Sequence, residues 1–277
     1  MYVKSYLKWA GGKSRALDAL LPLLREQVQS CTAYCEPFCG SCTVALNLPL
    51  PSRVLLCDIN EDLIYLHKSL VETPFDTIDR ARQWFMPQTN SRDFFTFARR
   101  YYNTLRDPHS RSVLLPYLNR HGFNGLMRYN RQGHFNTPYG EKEEPVFPEY
   151  AMQQFALSLS KAHFVCADFD EVLRRYAPEL PKRTLYYFDP PYWTATGFTQ
   201  YWRTSFGEEK QQALAGWARR LSRAGATVVI SNADNEHTRA LYADASQIHA
   251  LDVQRTISGN NSGRAHAREV VAIYEPV

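Results

Sequence analysis

The stretch Leu185-Tyr186-Tyr187-Phe188-Asp189-Pro190-Pro191-Tyr192-Trp193 ends an apolar run in a carboxylate, two prolines and two aromatics. Proline cannot continue a β ladder and keeps the preceding residue extended, so Asp189 belongs at the carboxyl end of a strand. Open α/β sheets bind their ligands at such ends. The parts suit methyl transfer to an exocyclic amine of a nucleobase. That nitrogen is a poor nucleophile because its lone pair is delocalised into the ring. Two acceptors, the Asp189 carboxylate and the Pro190 carbonyl, would take its N–H groups and return the lone pair to the direction of attack. The peptide bond between Pro190 and Pro191 has no N–H to compete. Tyr192 would stack on the base, worth about 1–3 kcal/mol, and in-line positioning would supply most of the rate. A structural strand-end turn is the plain alternative.

Two further strand ends carry acids, Asp58 and Asp168. Three converging carboxylates could hold magnesium for a nuclease, but a glycine turn and a proline corner suit a flat base better than a hydrated cation. The glycine turn is Glu36-Pro37-Phe38-Cys39-Gly40-Ser41-Cys42, after the short strand Ala33-Tyr34-Cys35. Asp58 follows Gly40 by 18 residues, near the offset of a carboxylate that holds ribose hydroxyls. Without a strict G-x-G-x-x-G, a generic α/β turn reads as well. Cys31, Cys35, Cys39 and Cys42 lie close in sequence. They do not form paired C-x-x-C knuckles and have no histidine cluster nearby, so buried thiols and no metal are expected.

The elements around these residues alternate. Strands are expected at Ala33–Cys35, Arg53–Asp58, Phe164–Cys166, Leu185–Phe188 and Thr227–Ile230. Helices are expected to open at Thr43, after Asn60 and from Glu208. Val253–Ile257 and Glu269–Tyr274 would pair as a hairpin around the Gly259–Arg268 loop. Residues 75–107 read as helices rich in arginine and aromatics. Leu118–Gly140, with Gly122, Gly125, Gly133 and Gly140, reads as loops and a hairpin. The expected fold is α/β, a doubly wound Rossmann-like sheet with an inserted helical and hairpin domain. The catalytic domain would comprise residues 1–61 and 146–277, and the insert 62–145.

The chain has 277 residues and a net charge of +4. Its charge is concentrated: Arg92, Arg99, Arg100, Arg106, Arg111, Arg120, Arg128 and Arg131 are opposed in that interval only by Asp93 and Asp107. Interleaved aromatics make the cluster resemble phosphate contacts beside stacking platforms; a solvated basic face is the bland alternative. The start, MYVKSYLKWAGGKS, lacks a signal peptide's apolar core and no run could span a membrane, so a cytoplasmic protein with reduced thiols is expected.

LKWAGGK at 7–13, EPFCGSC at 36–42, LLCDIN at 55–60, LNRHGFNGLMRYN at 118–130, FNTPYG at 135–140 and DPPY at 189–192 resemble the Dam-type DNA adenine-N6 methyltransferases, over nearly the whole chain. DPPY and the glycine turn occur widely among amino methyltransferases; LKWAGGK with the middle segment is narrower. The resemblance implies an S-adenosylmethionine-dependent methyltransferase sheet with a target-recognition insert. Trp9 and Lys13 would line the cofactor pocket, Phe38 and Gly40 lie beneath it, Asp58 bind its ribose, and Asp168 and Phe169 flank its adenine. Asp189 would stand between cofactor and target, with Pro190 and Tyr192. Trp9 reads equally as a core aromatic.

The resemblance further implies duplex DNA as partner, a monomer in solution, and extrusion of the target adenine at a cost of a few kcal/mol. Phe123 would wedge into the vacated stack, Asn124 would meet the orphaned thymine, and Leu126 and Pro138 would touch base edges. Arg128 would fork onto guanine, Lys8 would read an outer guanine, and Arg120 joins the DNA-contacting set. GATC is the implied site. A glycine-rich hairpin can also carry an exposed aromatic and an arginine without such a role. The chain departs from the family at Cys42, where a glycine is usual, and at Glu141, where relatives often place a basic residue; Glu141 would repel phosphate. Its rivals are a catalytically silent DNA-binding relative, an enzyme with a relaxed or different site, and a methyltransferase acting on RNA or a protein amide.

Overall fold

The computed structural model describes residues 2–141, 145–193, 199–201, 204–254 and 266–277. Most of the expected Gly259–Arg268 loop, and residues 255–257 of the strand expected before it, lie outside these residues. The parallel strands are β1 (Ala33–Glu36), β2 (Arg53–Asp58), β3 (Ala162–Cys166), β4 (Thr184–Phe188) and β7 (Thr227–Ala233), with the ribbon β5 (Thr199–Tyr201) and β6 (Thr204–Phe206) apart from them. β8 (Gln247–Gln254) and β9 (His266–Tyr274) complete a seven-stranded sheet of order β3-β2-β1-β4-β7-β9-β8, with β9 antiparallel to both neighbours. This is the Rossmann-like methyltransferase sheet that the sequence implied.

The two-residue period of the strands divides the core. Tyr34, Leu56, Leu185, Tyr187 and Val229 face one layer. Cys35, Leu55, Cys57, Tyr186, Phe188 and Val228 face the other. Such double-sided burial explains why these strands read as continuous apolar runs.

The first layer is covered by α1 (Leu17–Val28), α2 (Glu61–Glu72) and the helices that follow: α3 (Pro74–Arg82), α4 (Arg92–Thr104) and α5 (Pro108–His121). α2 touches β2 and β3 on one side and α3 and α5 on the other, so one apolar core joins sheet and helical segment. Caps set the starts. Asn60 accepts from the Leu63 amide at 3.2 Å, Ser91 from Phe94 at 3.2 Å, and Asp107 from Ser110 at 2.8 Å, with Pro108 in the first turn. α6 (Glu149–Ser158) leads back to β3; α7 (Phe169–Tyr176) and α8 (Glu208–Arg223) cover the second layer, and α9 (Glu236–Leu241) follows β7.

Two expectations need correction. The helix expected at Thr43 is only a single 3-10 turn at Ala45–Asn47, since the next segment enters β2 within a few residues. The loop texture expected from Leu118 begins later, because α5 continues to His121 and stops at Gly122. Between Gly122 and Tyr139 the chain forms a loose hairpin, held by bridges at Gly122–Tyr139 and Tyr129–Phe135. Gly140 is required there: a Cβ on it would lie 2.7 Å from the Gly122 carbonyl oxygen.

Candidate active site and nucleic-acid interface

The chain runs outward from β1 to β2 and β3, then returns to β4 on the other side of β1. The crevice between the carboxyl ends of β1 and β4 is therefore the topological switch point. The glycine turn leaves β1 and the Asp189–Tyr192 corner leaves β4, so the sheet order brings these two motifs together from opposite halves of the sequence.

Gly40 has φ 46°, and a Cβ there would sit 2.8 Å from Trp9 Nε1. Glycine is needed for both reasons, and the indole of Trp9 lies over the turn. Asp58, only 3% exposed, accepts the Gly40 amide at 3.0 Å and the Asn60 amide at 2.9 Å. Its carboxylate thus braces the turn from the end of β2. Phe38 stacks on Phe169 with ring centres 5.3 Å apart, and both line a cleft with Asp58, Asp168, Pro191 and Lys210. Asp168 caps α7 through the Asp170 amide at 3.1 Å and pairs with Lys210 at 2.8 Å.

Lys13 Nζ lies 2.6 Å from Asp189 Oδ1, 3.3 Å from the Gly11 carbonyl and 4.7 Å from the centre of the Tyr192 ring. Sequence reasoning put Lys13 against the cofactor; the structure sets its ammonium on the DPPY carboxylate. Burial pushes the Asp189 carboxyl above its ordinary range, and Lys13 opposes that rise. A chain of hydroxyls supports the same oxygen: Tyr187 OH lies 2.7 Å from Ser231 Oγ, which lies 3.4 Å from Asp189 Oδ1. The Tyr192 hydroxyl donates to Glu269 at 2.8 Å. Gln211 donates to the Pro191 carbonyl at 2.9 Å, and the Trp193 amide to Asn232 at 3.0 Å. Among the described residues none donates to the Pro190 carbonyl, which leaves that acceptor available. Ser231, Asn232, Gln211 and Glu269 were missed in the sequence because each is an ordinary polar residue in a strand or helix. Only β7, α8 and β9 bring them to the corner.

Cys42 holds φ 54°, a left-handed conformation that favours glycine. Its Sγ lies 3.6 Å from His67 Nε2, and the same nitrogen lies 2.8 Å from the Gly40 carbonyl. Burial raises the Cys42 thiol, but Cys39 and His67 outweigh it and bring it down to about 6.

The other expected residues cluster around the hairpin. Asn119 accepts the Lys8 amide at 2.9 Å and donates to the Lys8 and Gly125 carbonyls at 2.8 and 3.0 Å. That clamp sets Lys8 against Gly125, whose added Cβ would meet the Lys8 side chain at 2.4 Å. Phe123 is 48% exposed at the turn, and Asn124 beside it adopts φ 52°. Leu126 is half-buried, and Pro138 is exposed while its carbonyl accepts the Phe123 amide at 2.9 Å. Arg128 is exposed with its fork on Asn136, Nε to Oδ1 at 2.9 Å and Nη2 to the carbonyl at 3.1 Å. Arg120 donates to the Tyr6 carbonyl from Nε at 3.1 Å and Nη2 at 2.5 Å. Arg111, counted in the basic cluster, instead grips buried Asp62 with two bonds of 2.6 and 2.7 Å. Glu141 is paired with Arg92, which offsets its charge.

A seven-stranded sheet of this order, with a glycine turn and a DPPY corner flanking its switch point, defines a methyltransferase of the Rossmann-like class. The sequence profile of the D12 class N6 adenine-specific DNA methyltransferases matches residues 9–257. A DNA adenine methylase of Vibrio cholerae is 38% identical over 280 aligned residues, covering 99% of this chain and 96% of that protein. The DNA adenine methylases of Escherichia coli K12 and Serratia marcescens are 37% and 38% identical, over 99% and 98% of this chain. The chain belongs to the D12 class of N6 adenine-specific DNA methyltransferases, and its substrate is DNA. Among the described residues, no helix is long and apolar enough to cross a membrane.

Proposed function

We propose that this protein uses S-adenosylmethionine to methylate adenine N6 at GATC in duplex DNA, after extruding the base, as a cytoplasmic monomer. The observation that carries the reading is the pairing of motifs at the switch point, the braced Gly40 turn facing the Lys13–Asp189 pair. The cofactor would lie over Phe38 and Gly40 in a pocket lined by Trp9 and Lys13, with its ribose at Asp58 and its adenine near Asp168 and Phe169. When bound, it supplies an electrophilic methyl group.

The chain's own groups would do the rest. Asp189 Oδ and the Pro190 carbonyl accept the two N–H groups of the target amine, and Tyr192 holds the ring. The Lys13 ammonium pairs with Asp189 Oδ1 and favours the charged carboxylate against the effect of burial. Oδ2 and the Pro190 carbonyl, to which none of the described residues donates, would then accept from the amine. After transfer, the Asp189 carboxylate would accept the extra proton on nitrogen.

The hairpin supports recognition by the segment 62–145, with 1–61 and 146–277 as the catalytic part. Exposed Phe123 is placed to wedge, with Asn124, Leu126 and Pro138 beside it. Arg128, prealigned by Asn136, has a planar fork suited to guanine O6 and N7. Lys8 joins this surface through Asn119, and Arg120 fixes the N-terminal segment at Tyr6. Arg92 on Glu141 lessens the phosphate repulsion otherwise expected there.

The test is transfer of labelled methyl from S-adenosylmethionine to duplexes with GATC or a scrambled site. The wild type should label only GATC adenine, and Asp189→Ala should abolish transfer while DNA binding persists. An active Asp189→Ala enzyme would refute the assigned chemistry, and equal labelling of both duplexes would refute the site.

A further inference from the structure

The sequence offers Cys39-Gly40-Ser41-Cys42 with no histidine near it in the chain. α2 supplies one from 25 residues downstream of Cys42: the ligand atoms of Cys39, Cys42 and His67 all lie within 4.8 Å of one another. All three are buried, at 4%, 0% and 0% exposure. We propose that Cys39, Cys42 and His67 form a binding site for a thiophilic closed-shell cation, zinc in the first instance, directly beneath the turn read above as the methyl donor's seat.

The geometry suits that ion. Zinc–sulfur and zinc–nitrogen bonds of about 2.3 and 2.05 Å at tetrahedral angles require a sulfur–nitrogen edge of about 3.6 Å. The Cys42 Sγ to His67 Nε2 separation is 3.6 Å. The C-x-x-C turn is already closed, with the Cys42 amide donating to the Cys39 carbonyl at 2.7 Å. The φ of 54° at Cys42 is unfavourable for any residue with a Cβ, and it aims the thiol at the imidazole.

The imidazole is held on every side. Its ring stacks on Phe155 at 4.8 Å and lies 5.4 Å from Phe164, while Nδ1 is 2.7 Å from the Tyr6 hydroxyl. Metal-bound histidines use their second ring nitrogen in this way. With zinc on Nε2, the ring proton sits on Nδ1 and is donated to Tyr6 Oη. Each cysteine binds as thiolate and releases its proton. Two thiolates cancel the dication, so the filled site is neutral, as burial in an apolar core favours. The Gly40 carbonyl, now 2.8 Å from Nε2, loses that donor on loading and is free to turn toward the metal's fourth position. Metal occupancy is thereby linked to the backbone of Gly40. Only this last consequence rests on the proposed seat of the methyl donor.

The test uses the full-length protein, stripped with chelator under reductant, reloaded with zinc, desalted and assayed for bound metal. One equivalent per chain is expected. Cobalt in place of zinc should give thiolate-to-cobalt charge-transfer bands and the visible bands of a tetrahedral site. Cys42→Gly suits the left-handed backbone, and His67→Gln keeps an N–H for the Gly40 carbonyl. Each should fold by circular dichroism yet retain less than a tenth of the wild-type metal, and Cys39→Ser gives an independent third measurement. No retained zinc and no cobalt bands in the wild type would overturn the proposal. So would equal retention in the variants, or a Cys39–Cys42 disulfide forming in preference to zinc uptake. None of these measurements involves methyl donor or DNA, so their failure is distinct from failure of the proposed reaction.

Discussion

Replacing Lys13 with methionine removes one member of a close pair while keeping most of the side-chain volume. Lys13 is 5% and Asp189 17% exposed, and the charged atoms are 2.6 Å apart. Removing one partner of a buried pair costs about 3–5 kcal/mol, because the other charge is left unpaired. Asp189 keeps some contact with solvent and a hydroxyl at 3.4 Å, so a loss of about 2 kcal/mol is the reasoned figure. For a chain of this size that lowers the melting temperature by about 4–8 °C.

The pH dependence has a definite sign. Burial raises the folded-state pKa of Asp189, and Lys13 opposes it. A carboxyl raised on folding binds its proton more readily in the native state, so its contribution to stability is lost as pH rises through the folded value. Without Lys13 the carboxyl rises further. The Lys13→Met deficit should therefore be greatest at high pH, where the carboxylate is charged, and shrink at low pH as Asp189 takes up its proton. The same change should move the acid limb of methyl transfer to higher pH, since the acceptor must be ionised. Thermal melts of wild type, Lys13→Met, Asp189→Asn and the double variant at high and low pH would measure this. The double variant should recover most of the loss, because no unpaired charge remains. A double variant as unstable as Lys13→Met, or a deficit independent of pH, would refute the reasoning.

Gly40→Ala should reduce methyl-donor affinity by more than tenfold in a direct titration, since its Cβ would meet Trp9 Nε1 at 2.8 Å on a backbone of φ 46°; unchanged affinity would remove the turn from the cofactor site. Arg128→Ala should relax discrimination at one guanine by about 1–3 kcal/mol, seen as the ratio of kcat/KM for matched and substituted duplexes. Phe123→Ala should weaken base extrusion, read as a smaller fluorescence rise from 2-aminopurine at the target position, while Tyr129 and Phe135 keep the hairpin folded. Arg111→Met should destabilise the fold by about 3 kcal/mol or more through its buried partner Asp62, with site preference unchanged among molecules that remain folded.

The sequence by itself determined the strand ends and what they carry. Apolar runs closed by Asp58 and Asp189, the proline corner and the small-residue turn after Cys35 are local patterns. Their geometry follows from backbone sterics within a few residues, so the α/β class and both halves of the candidate site were legible. The cap at Asn60 and the glycine-rich hairpin were legible for the same reason; the cap at Asp107, inside a segment read as helix, was not. The pairings between distant residues were decided only by tertiary structure. Lys13 meets Asp189 because the chain returns to β4 beside β1. Arg111 looked like part of a DNA-binding face and is instead fixed on Asp62, because α5 packs on α2. Asn119 ties Lys8 to the hairpin, and His67 meets the Cys39–Cys42 turn, by the same packing. Which polar group satisfies which buried partner depends on where helices and strands dock. That docking follows from burial of whole apolar faces, a sum over many residues that no short stretch of sequence displays.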